Sequence, residues 1–366
     1  MTTVTLRSVA KNYGSVVGVA DLDFTCRDGE FLAILGPSGC GKSTTMRSIA
    51  GLEQITAGDI LFGGRRVNDE PPARRNVAMA FENFGLYPHM TVSENIAYPL
   101  RLKGMAVDGV ARAVVSIAGV LKIRDVLGRY PSELSGGYRQ RVSLARAMVR
   151  KPDVFLLDEP ISHLDAGLRS EMRVELKRLQ EETGSTMIYV THDQREALTM
   201  ADRVVVMDRG RLQQIDTPER IHRNPANRFV ATFVGDPPMN LLQARLSRTG
   251  DALSVTVGDD TVQLPDPAAS LGDLVTADGT EVEIGIRAED LVVGDTGALS
   301  GRVRVREAIG DTVLLTVDTD GGRVRVRSSI GVQAGEGQTV RLSPDPGQLH
   351  LFDPTSGRRI ERAKAQ

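Results

Sequence analysis

The sequence predicts an α/β domain with a mainly parallel sheet, followed by a smaller all-β domain. Three observations predict this organisation. A glycine-rich turn directly follows a short apolar run, further apolar runs alternate with helix-like segments, and the pattern changes to short β-rich runs after Met239. With 366 residues, the chain is long enough for about two domains, each with a core of its own.

The first part of the chain alternates predicted strands with predicted helices. Short apolar runs predict strands at 4–9, 30–35, 77–81, 154–157, 187–190 and 204–207. Helix-like segments occupy 136–149 and 168–183. Strands that alternate with helices in this way form a mainly parallel sheet covered by helices.

The second part consists of short β-rich runs separated by Gly and Asp turns, which predicts a small all-β barrel. The runs lie at 255–257, 281–286, 303–305, 313–317 and 324–326. The stretch from Asn224 to Asn240 contains Pro225, Pro237 and Pro238, and it is the predicted connection between the two parts.

The composition is that of an ordinary globular protein, with 41% hydrophobic and 25% charged residues. The 45 Lys and Arg residues nearly cancel the 47 Asp and Glu residues, so no global positive charge attracts nucleic acid or anionic lipid. Cys26 and Cys40 are too few for a disulfide framework and favour a reducing compartment. No stretch approaches the roughly 18 apolar residues that span a bilayer, so we expect membrane association to require a partner.

The glycine-rich turn fits the phosphate-binding pattern G-x-x-x-x-G-K-[ST] in the required context, between a strand and a helix. Its residues are Gly36, Pro37, Ser38, Gly39, Cys40, Gly41, Lys42, Ser43 and Thr44. Backbone N–H groups of such a turn bind phosphate, aided by the helix dipole. Lys42 is expected to reach the β- and γ-phosphates of a nucleotide, and Ser43 is expected to bind Mg²⁺.

A second apolar strand, VFLLDE from Val154 to Glu159, ends in two acids. Such a pair is, on its own, more often an ordinary exposed strand end. Together with a phosphate-binding turn, Asp158 is expected to hold Mg²⁺, and Glu159 to polarise the attacking water as the catalytic base. The two motifs therefore predict a nucleotide-binding P-loop protein.

The segment Leu134–Arg141, with the sequence LSGGYRQR, closely resembles the LSGGQ signature of the ABC ATPases. On its own, Ser-Gly-Gly is equally a simple helix N-cap. The resemblance implies that Ser135, Gly136 and Gly137 open a helix whose N-terminus faces the γ-phosphate of ATP held by a second subunit. Tyr138 departs from the family pattern, which usually has Gln there, but the three expected phosphate contacts are unaffected.

Further landmarks of the ABC ATPases follow in the family's order. Tyr13 matches the aromatic residue that stacks on adenine, Asp165 ends the D-loop sequence Ser-His-Leu-Asp, and His192 matches the switch histidine that contacts the γ-phosphate. A lone tyrosine or histidine is usually structural. The resemblance implies that these three residues bind the nucleotide, and that Lys42 and His192 assist Glu159 in catalysis.

Glu82 is the departure with the clearest chemical consequence. The family normally has Gln at this place in the Q-loop, where it faces Mg²⁺ and the membrane subunit. In one interpretation, Glu82 binds Mg²⁺ as Gln would and belongs to the nucleotide site. In the other, its carboxylate impairs or retunes hydrolysis.

The resemblance covers nearly the whole chain and indicates the carbohydrate-importer branch of the family. Segments typical of that branch lie at 86–92, 227–230, 237–240, 286–290 and 351–354. It implies an ABC ATPase domain over 1–235 with a helical subdomain at about 88–150, and an OB-like (TOBE/MOP-type) regulatory β-barrel over 236–366. Importers of polyamines, ferric ion and glycerol phosphate share much of this pattern, so these solutes are alternatives.

The resemblance implies the ATP-hydrolysing subunit of an importer at the cytoplasmic face of the membrane, with ATP and Mg²⁺ as cofactors. Two copies are expected to close head to tail around ATP, and two transmembrane permease subunits are expected to dock around Glu82–Val92. An extracytoplasmic solute-binding protein is expected to take part indirectly, and no nucleic acid is expected to bind.

Two other classes of function are open. A soluble ABC ATPase acting on nucleic acid or ribosomes is opposed by the near-neutral charge and by the absence of a second cassette or a long coiled coil from the sequence. A regulatory scaffold, whose β domain holds a transcription factor or a phosphotransfer protein, is compatible with transport, and no residue proves it.

Replacing Glu82 by Gln is expected to make ATP binding less dependent on Mg²⁺. At ~4 Å and an effective dielectric constant of ~20, a carboxylate repels a unit phosphate charge by roughly 4 kcal/mol, and by less where solvent reaches it. Mg²⁺ reverses this effect because it prefers carboxylate oxygen as a ligand. ATP affinity with Mg²⁺ and with chelator, measured for wild type and Glu82→Gln in the assembled transporter, checks this. Equal losses on chelation contradict it.

Overall fold

The computed structural model of the chain describes residues 2–81, 83–150, 152–249, 252–264 and 279–360. The chain separates into two units, the first ending at Pro218 and the second beginning at Glu219. Within these described ranges, no helix is both long and apolar enough to cross a membrane.

The first unit contains every strand and helix that was predicted for this part of the chain. Its strands are β1 (Val4–Tyr13), β2 (Val16–Cys26), β3 (Phe31–Leu35), β4 (Ala57–Phe62), β5 (Arg65–Arg66), β6 (Val77–Ala80), β7 (Val154–Asp158), β8 (Thr186–Thr191), β9 (Arg203–Asp208) and β10 (Arg211–Asp216). Its helices are α1 (Lys42–Ala50), α2 (Val92–Leu102), α3 (Val107–Val120), α4 (Gly136–Met148), α5 (Ala166–Thr183) and α6 (Gln194–Met200).

The central sheet has the strand order β10-β9-β3-β8-β7-β6. Its strands run parallel except for β10, which pairs antiparallel with β9. Every residue of β3 is buried, as expected for a parallel sheet covered on both faces. The predicted mainly parallel sheet is confirmed. Because the carboxyl ends of parallel strands meet at one edge, the turns after β3, β7 and β8 lie side by side.

A second sheet is antiparallel and has the order β2-β1-β4-β5. It shares a core with the central sheet, because Leu6 of β1 and Ile60 of β4 belong to the same buried cluster as Ile34 of β3. The sequence predicted the start of β1 but not this sheet. The pairing of β1 with β4, far along the chain, is not visible in a local pattern.

The region expected to form a helical subdomain holds α2, α3 and α4. The first of these begins with a capping box, in which Thr91 Oγ1 accepts from Glu94 N at 3.2 Å and Glu94 Oε2 accepts from Thr91 N at 2.8 Å. Such reciprocal bonds satisfy backbone donors that have no partner within the helix. The N-cap of α4 is Ser135.

The second unit confirms the predicted all-β domain. Its strands are β11 (Asn240–Thr249), β12 (Ala252–Val257), β13 (Asp260–Leu264), β14 (Thr280–Ile286), β15 (Leu291–Gly294), β16 (Leu299–Ile309), β17 (Thr312–Thr319), β18 (Gly322–Ser329), β19 (Thr339–Pro344) and β20 (His350–Phe352). They form two antiparallel sheets, ordered β13-β12-β11-β14-β20 and β15-β19-β16-β17-β18. Side chains from both sheets fill one core, for example Val255 and Val317.

The predicted connection between the domains contains a short helix. Two helices precede β11, namely α7 (Pro218–Arg223) and α8 (Arg228–Phe233). The second begins where Asn227 Oδ1 accepts from Val230 N at 2.9 Å, which is a typical N-cap. The domain boundary after residue 235 stays a prediction.

Arg75 fixes the C-terminal end of α1. Its side chain is buried, and its guanidinium donates to the carbonyl oxygens of Ser48 at 2.8 Å, Ile49 at 2.9 Å and Glu70 at 2.9 Å. Burial lowers the pKa of Arg75. The last carbonyls of a helix have no partner within it, so this side chain supplies partners for them.

Replacing Arg75 by Met is expected to lower the free energy of unfolding by about 2–3 kcal/mol, because buried carbonyls lose a charged donor. The control is Arg66→Met, since the exposed Arg66 pairs with the carboxylates of Asp59 and Asp69 at the surface and such pairs contribute little. Urea unfolding followed by circular dichroism measures both variants. Equal losses in the two would contradict the role given to Arg75.

Candidate functional site

The phosphate loop, Gly36–Gly41, joins β3 to α1 at the carboxyl edge of the central sheet. Gly41 has φ 103° and precedes the first residue of α1. A Cβ at Gly41 would lie 2.6 Å from the carbonyl oxygen of Gly18, closer than real Cβ atoms approach. Only glycine fits both this left-handed backbone and this close approach.

The remaining residues of the predicted motif form the tip and the base of this loop. Ser38 and Gly39 are exposed at the tip. Cys40 is buried, and its burial raises the pKa of the thiol, so the sulfur is uncharged at neutral pH. Thr44 lies on α1, where its carbonyl oxygen accepts from Ser48 Oγ at 2.8 Å.

Lys42, the first residue of α1, is only 7% exposed. Its Nζ donates to the carbonyl oxygens of Gly36 at 2.8 Å and Pro37 at 3.0 Å, so the ammonium group lies inside its own loop. Burying a cation costs free energy unless it is compensated. Carbonyl dipoles compensate it in part, and the arrangement therefore favours an anion bound at the loop.

Ser43 and Asp158 bring two oxygen ligands together. Ser43 Oγ donates to Asp158 Oδ1 at 3.3 Å, and Asp158 is 3% exposed at the end of the fully buried strand β7. Mg²⁺ prefers such hard oxygens and usually takes one or two protein ligands together with phosphate and water. Among the described residues there is no cluster of three or more His, Cys, Asp and Glu side chains suited to a metal. Ser43 and Asp158 thus offer two of the oxygen ligands that Mg²⁺ takes together with phosphate and water.

Glu159 and His192 are in direct contact. Glu159 Oε1 lies 2.9 Å from His192 Nδ1, and the glutamate side chain is 18% exposed. The neighbouring strands β7 and β8 bring the two turns together, and Glu159 N donates to Val190 O at 2.9 Å. Glu159 also has φ 48°, a conformation that non-glycine residues rarely adopt and that is common at functional sites.

A buried carboxyl group that the sequence analysis missed supports the turn with His192. Glu196 Oε2 accepts from Tyr189 OH at 2.8 Å and from Thr191 Oγ1 at 2.7 Å. Burial raises the pKa of both Glu196 and Tyr189. The bonds tie α6 to the end of β8, and so they hold the segment that carries His192. The only signal in the sequence was an acid placed four residues after the histidine.

The signature residues lie at the start of α4, on a different element from the acids and the lysine. Ser135 is the N-cap, and its Oγ accepts from Tyr138 N at 3.5 Å. Gly136 and Gly137 form the first turn, and a Cβ at Gly137 would meet the Leu164 side chain at 3.3 Å. The amides of this turn open a helix of thirteen residues, a geometry that suits an anion.

Tyr138, which replaces the usual Gln, anchors α4 to the end of α3. Its hydroxyl donates to Asp125 Oδ2 at 3.0 Å, and the Arg141 guanidinium carbon lies 4.2 Å from the centre of its ring. Arg141 in turn donates to Lys122 O at 2.8 Å and Leu121 O at 3.3 Å. The substituted side chain therefore stabilises the signature helix from outside the predicted phosphate contacts.

Tyr13 lies close to the phosphate loop through a shared neighbour. A Cβ at Gly18 would be 2.9 Å from the Tyr13 ring, and the carbonyl oxygen of the same Gly18 packs against Gly41. Tyr13 is 45% exposed, and Lys11 Nζ lies 4.7 Å from the centre of its ring. Stacking of this ring on adenine stays a prediction.

Two predicted residues receive less support from the structure. Asp165 Oδ1 accepts from Leu168 N at 3.0 Å, so this carboxylate is the N-cap of α5. Its contact with a nucleotide stays a prediction. Glu82 lies outside the described residues, and its interaction with a metal also stays a prediction.

Three family models match the chain. The model described as ABC transporter covers residues 19–162, the MalK OB fold domain covers 235–291, and the TOBE domain covers 284–352. The first match contains the phosphate loop, the signature segment, Asp158 and Glu159. The other two lie within the all-β unit.

Curated relatives match over almost the full length. The chain is 44% identical to the sn-glycerol-3-phosphate import ATP-binding protein UgpC of Jannaschia sp., over 98% of this chain and 100% of the relative. It is 44% identical to the trehalose/maltose import ATP-binding protein MalK of Thermococcus litoralis, with the same coverage. It is 42% identical to the alpha-glucoside transport ATP-binding protein AglK of Rhizobium meliloti, over 96% and 98%.

A solved structure is similar to part of the chain. A bacterial ABC transporter cassette, solved as a dimer, is 29% identical and has a TM-score of 0.56. The similarity covers 59% of this chain and 98% of the cassette. A second structure of the same cassette is described as a post-hydrolysis state bound to ADP and Pi.

Replacing Tyr138 by Phe is expected to cost about 0.5–1.5 kcal/mol of stability, because the ring stays on Arg141 while the bond to Asp125 is lost. Asp125→Ala removes the same bond from the other side. The double variant should therefore be hardly less stable than either single variant. Urea unfolding of all three measures the coupling, and strictly additive losses would show that the hydroxyl and the carboxylate do not interact.

Proposed function

The chain belongs to the family of ABC transporter ATP-binding subunits, and from this premise we propose that two copies, docked on two membrane permease subunits, couple ATP hydrolysis to import of a carbohydrate or related solute. The observation that carries the proposal is the 2.9 Å contact between Glu159 and His192. This contact, next to Asp158, supports the proposed roles of Glu159 as the base and of His192 as its partner. The same sheet edge carries the phosphate loop.

The chemistry proposed for this edge follows from its charges. Glu159 accepts the proton of the attacking water, and His192 holds its carboxylate and contacts the γ-phosphate. Lys42 binds the β- and γ-phosphates. Ser43 and Asp158 would hold Mg²⁺, which would neutralise negative charge on the phosphate oxygens. Each role is supported by the placement of the side chain described above.

The proposed dimer completes each nucleotide site from two chains. Ser135–Gly137 of one copy bind the γ-phosphate of the ATP held by the other copy. Two observations support this assignment: the signature segment opens α4 with its amides, and the similar cassette was solved as a dimer. In this arrangement, Tyr13 stacks on adenine. Asp165 and Glu82 contribute contacts to the nucleotide or to its metal ion.

A groove beside the helical region supports docking of the permease subunits. It has a volume of about 210 Å³ and is lined in part by Met79, Tyr87, Tyr98, Pro99, Leu102 and Arg146. The Tyr87 and Tyr98 rings lie 5.0 Å apart, and Arg146 donates to Gly85 O at 2.7 Å, which fixes one wall. The groove adjoins the predicted surface Glu82–Val92. We propose that a helix of a permease subunit docks in this groove, at the cytoplasmic face of the membrane.

The solute is inferred from the relatives, since the predicted motifs of this chain all bind or hydrolyse nucleotide. Relatives with 42–44% identity are named for import of sn-glycerol 3-phosphate, trehalose and maltose, and alpha-glucosides. These solutes share several hydroxyl groups. The shared chemistry supports a sugar or a polyol phosphate as the solute of this transporter.

Co-purification tests the function. The full-length chain is tagged and isolated from detergent-solubilised membranes of its own cell. Two permease subunits should co-purify with two copies of the chain, so that the total amount of permease equals that of the chain. Their genes identify the solute-binding partner, whose ligand is then measured directly. Recovery of ribosomes or DNA in place of permease subunits would overturn the proposal.

Replacing Glu159 by Gln is expected to leave ATP binding intact and to lower hydrolysis by about 10²–10⁴-fold, because the amide cannot accept a proton. The stalled chain should accumulate as a dimer in ATP, seen by size-exclusion chromatography with light scattering. The control is Glu171→Gln, an exposed acid on α5 paired with Lys122, which should hydrolyse ATP normally. A Glu159→Gln variant with wild-type turnover would show that another residue is the base.

A further inference from the structure

A buried glutamine joins the signature helix to the acidic strand end of the same chain. Gln140 lies on α4, five residues after Ser135, and is 2% exposed. Its Nε2 donates to the carbonyl oxygen of Glu159 at 2.9 Å. Its Oε1 accepts from His163 N at 3.0 Å. Both ends of the amide are therefore used, and the two bonds assign its orientation.

Gln140 bonds to the backbone of a residue in an unfavourable conformation. Glu159 has φ 48°, so its backbone is strained, and such strain persists only where surrounding contacts hold it. Its carbonyl oxygen also accepts from Ser162 Oγ at 3.0 Å. The amide of Gln140 supplies a second side-chain donor, which comes from α4. This contact therefore fixes the peptide group next to the Cα atom that carries the Glu159 side chain.

We propose that Gln140 is a positioning residue, which aims the Glu159 carboxylate and links it to the helix that begins at Ser135–Gly137. The inference rests on the proposed roles of Glu159 and of the signature segment. Five residues of helix span about 7.5 Å, a rigid distance over which a displacement at the N-terminus reaches Gln140. Engagement of the partner's nucleotide by one end of α4 thus acts on the base in the same chain.

The chain offers a matched control for a merely structural role. Gln180 on α5 is 4% exposed, and its Nε2 donates to the carbonyl oxygen of Gly29 at 2.6 Å. It is also a buried glutamine that binds a backbone carbonyl in the first unit. Gly29 precedes β3, at the opposite end of that strand from the phosphate loop. Loss of the bond from Gln180 to Gly29 should lower the stability of the folded chain without changing the position of Glu159.

The test compares Gln140→Met with Gln180→Met in the full-length chain. Gln140→Met should lower kcat for ATP at least tenfold while KM and nucleotide affinity change less than about twofold, because phosphate binding does not use this amide. Gln180→Met should keep kcat, and it should lose less stability in urea than Gln140→Met, because Gln180 Oε1 is buried without a hydrogen-bond partner among the described residues. Equal kcat losses in the two variants, or a rise in KM that accounts for the loss in Gln140→Met, overturn the proposal.

A second variant and a second readout keep the test independent of folding and of activity. Ser162→Ala removes the other side-chain donor to the Glu159 carbonyl and should lower kcat in the same direction with unchanged KM, even if Gln140→Met does not fold. Amide hydrogen exchange at His163 should accelerate in Gln140→Met and not in Gln180→Met; unchanged exchange overturns the proposal. A wild-type chain that binds but never hydrolyses ATP contradicts the proposed function. In that case, amide hydrogen exchange at His163 still decides whether Gln140 holds the segment that carries Glu159 and His163.

Discussion

The parallel register of three buried strands is the constraint on which the site depends. Leu35 of β3 is paired with Thr191 of β8, and Asp158 of β7 is paired with Val190. All three strands are buried on both faces, so a shift by one residue would exchange the side chains packed against the two covering layers, which the close packing of the core disfavours. The strands therefore end level with one another. This register brings the phosphate loop, the two acids and His192 to one edge.

Two buried charged side chains at the carboxyl edge of the central sheet favour a bound nucleotide and metal ion. Lys42 and Asp158 are 7% and 3% exposed, and neither carries its charge at low cost without a partner. Among the contacts described, carbonyl oxygens accept from the Lys42 cation, and the Ser43 hydroxyl donates to the Asp158 carboxylate. A bound nucleotide places negative phosphate groups beside Lys42, and its metal ion places a positive charge beside Asp158. Binding is therefore expected to stabilise the folded first unit.

One helix, α4, combines several tasks within three turns. Ser135 caps its N-terminus, Tyr138 ties it to Asp125 near the end of α3, and Gln140 bonds to the peptide of Glu159. In the proposed dimer, the first of these serves the partner's nucleotide and the last serves the chain's own. The unusual Tyr138 lies between them and restrains the helix. In that proposed dimer, a rigid α4 would make the two nucleotide sites sensitive to each other.

The sequence by itself determined the fold class, the family and the local motifs. The phosphate loop, the strand VFLLDE and the signature segment are each defined by adjacent residues, and strand and helix periods are also local. Only the tertiary structure decided that Glu159 meets His192, that Gln140 bonds to the Glu159 peptide, and that β1 pairs with β4. These contacts join residues far apart in the chain. They depend on the order of strands in the sheet and on the packing of α4, which no local pattern of residues contains.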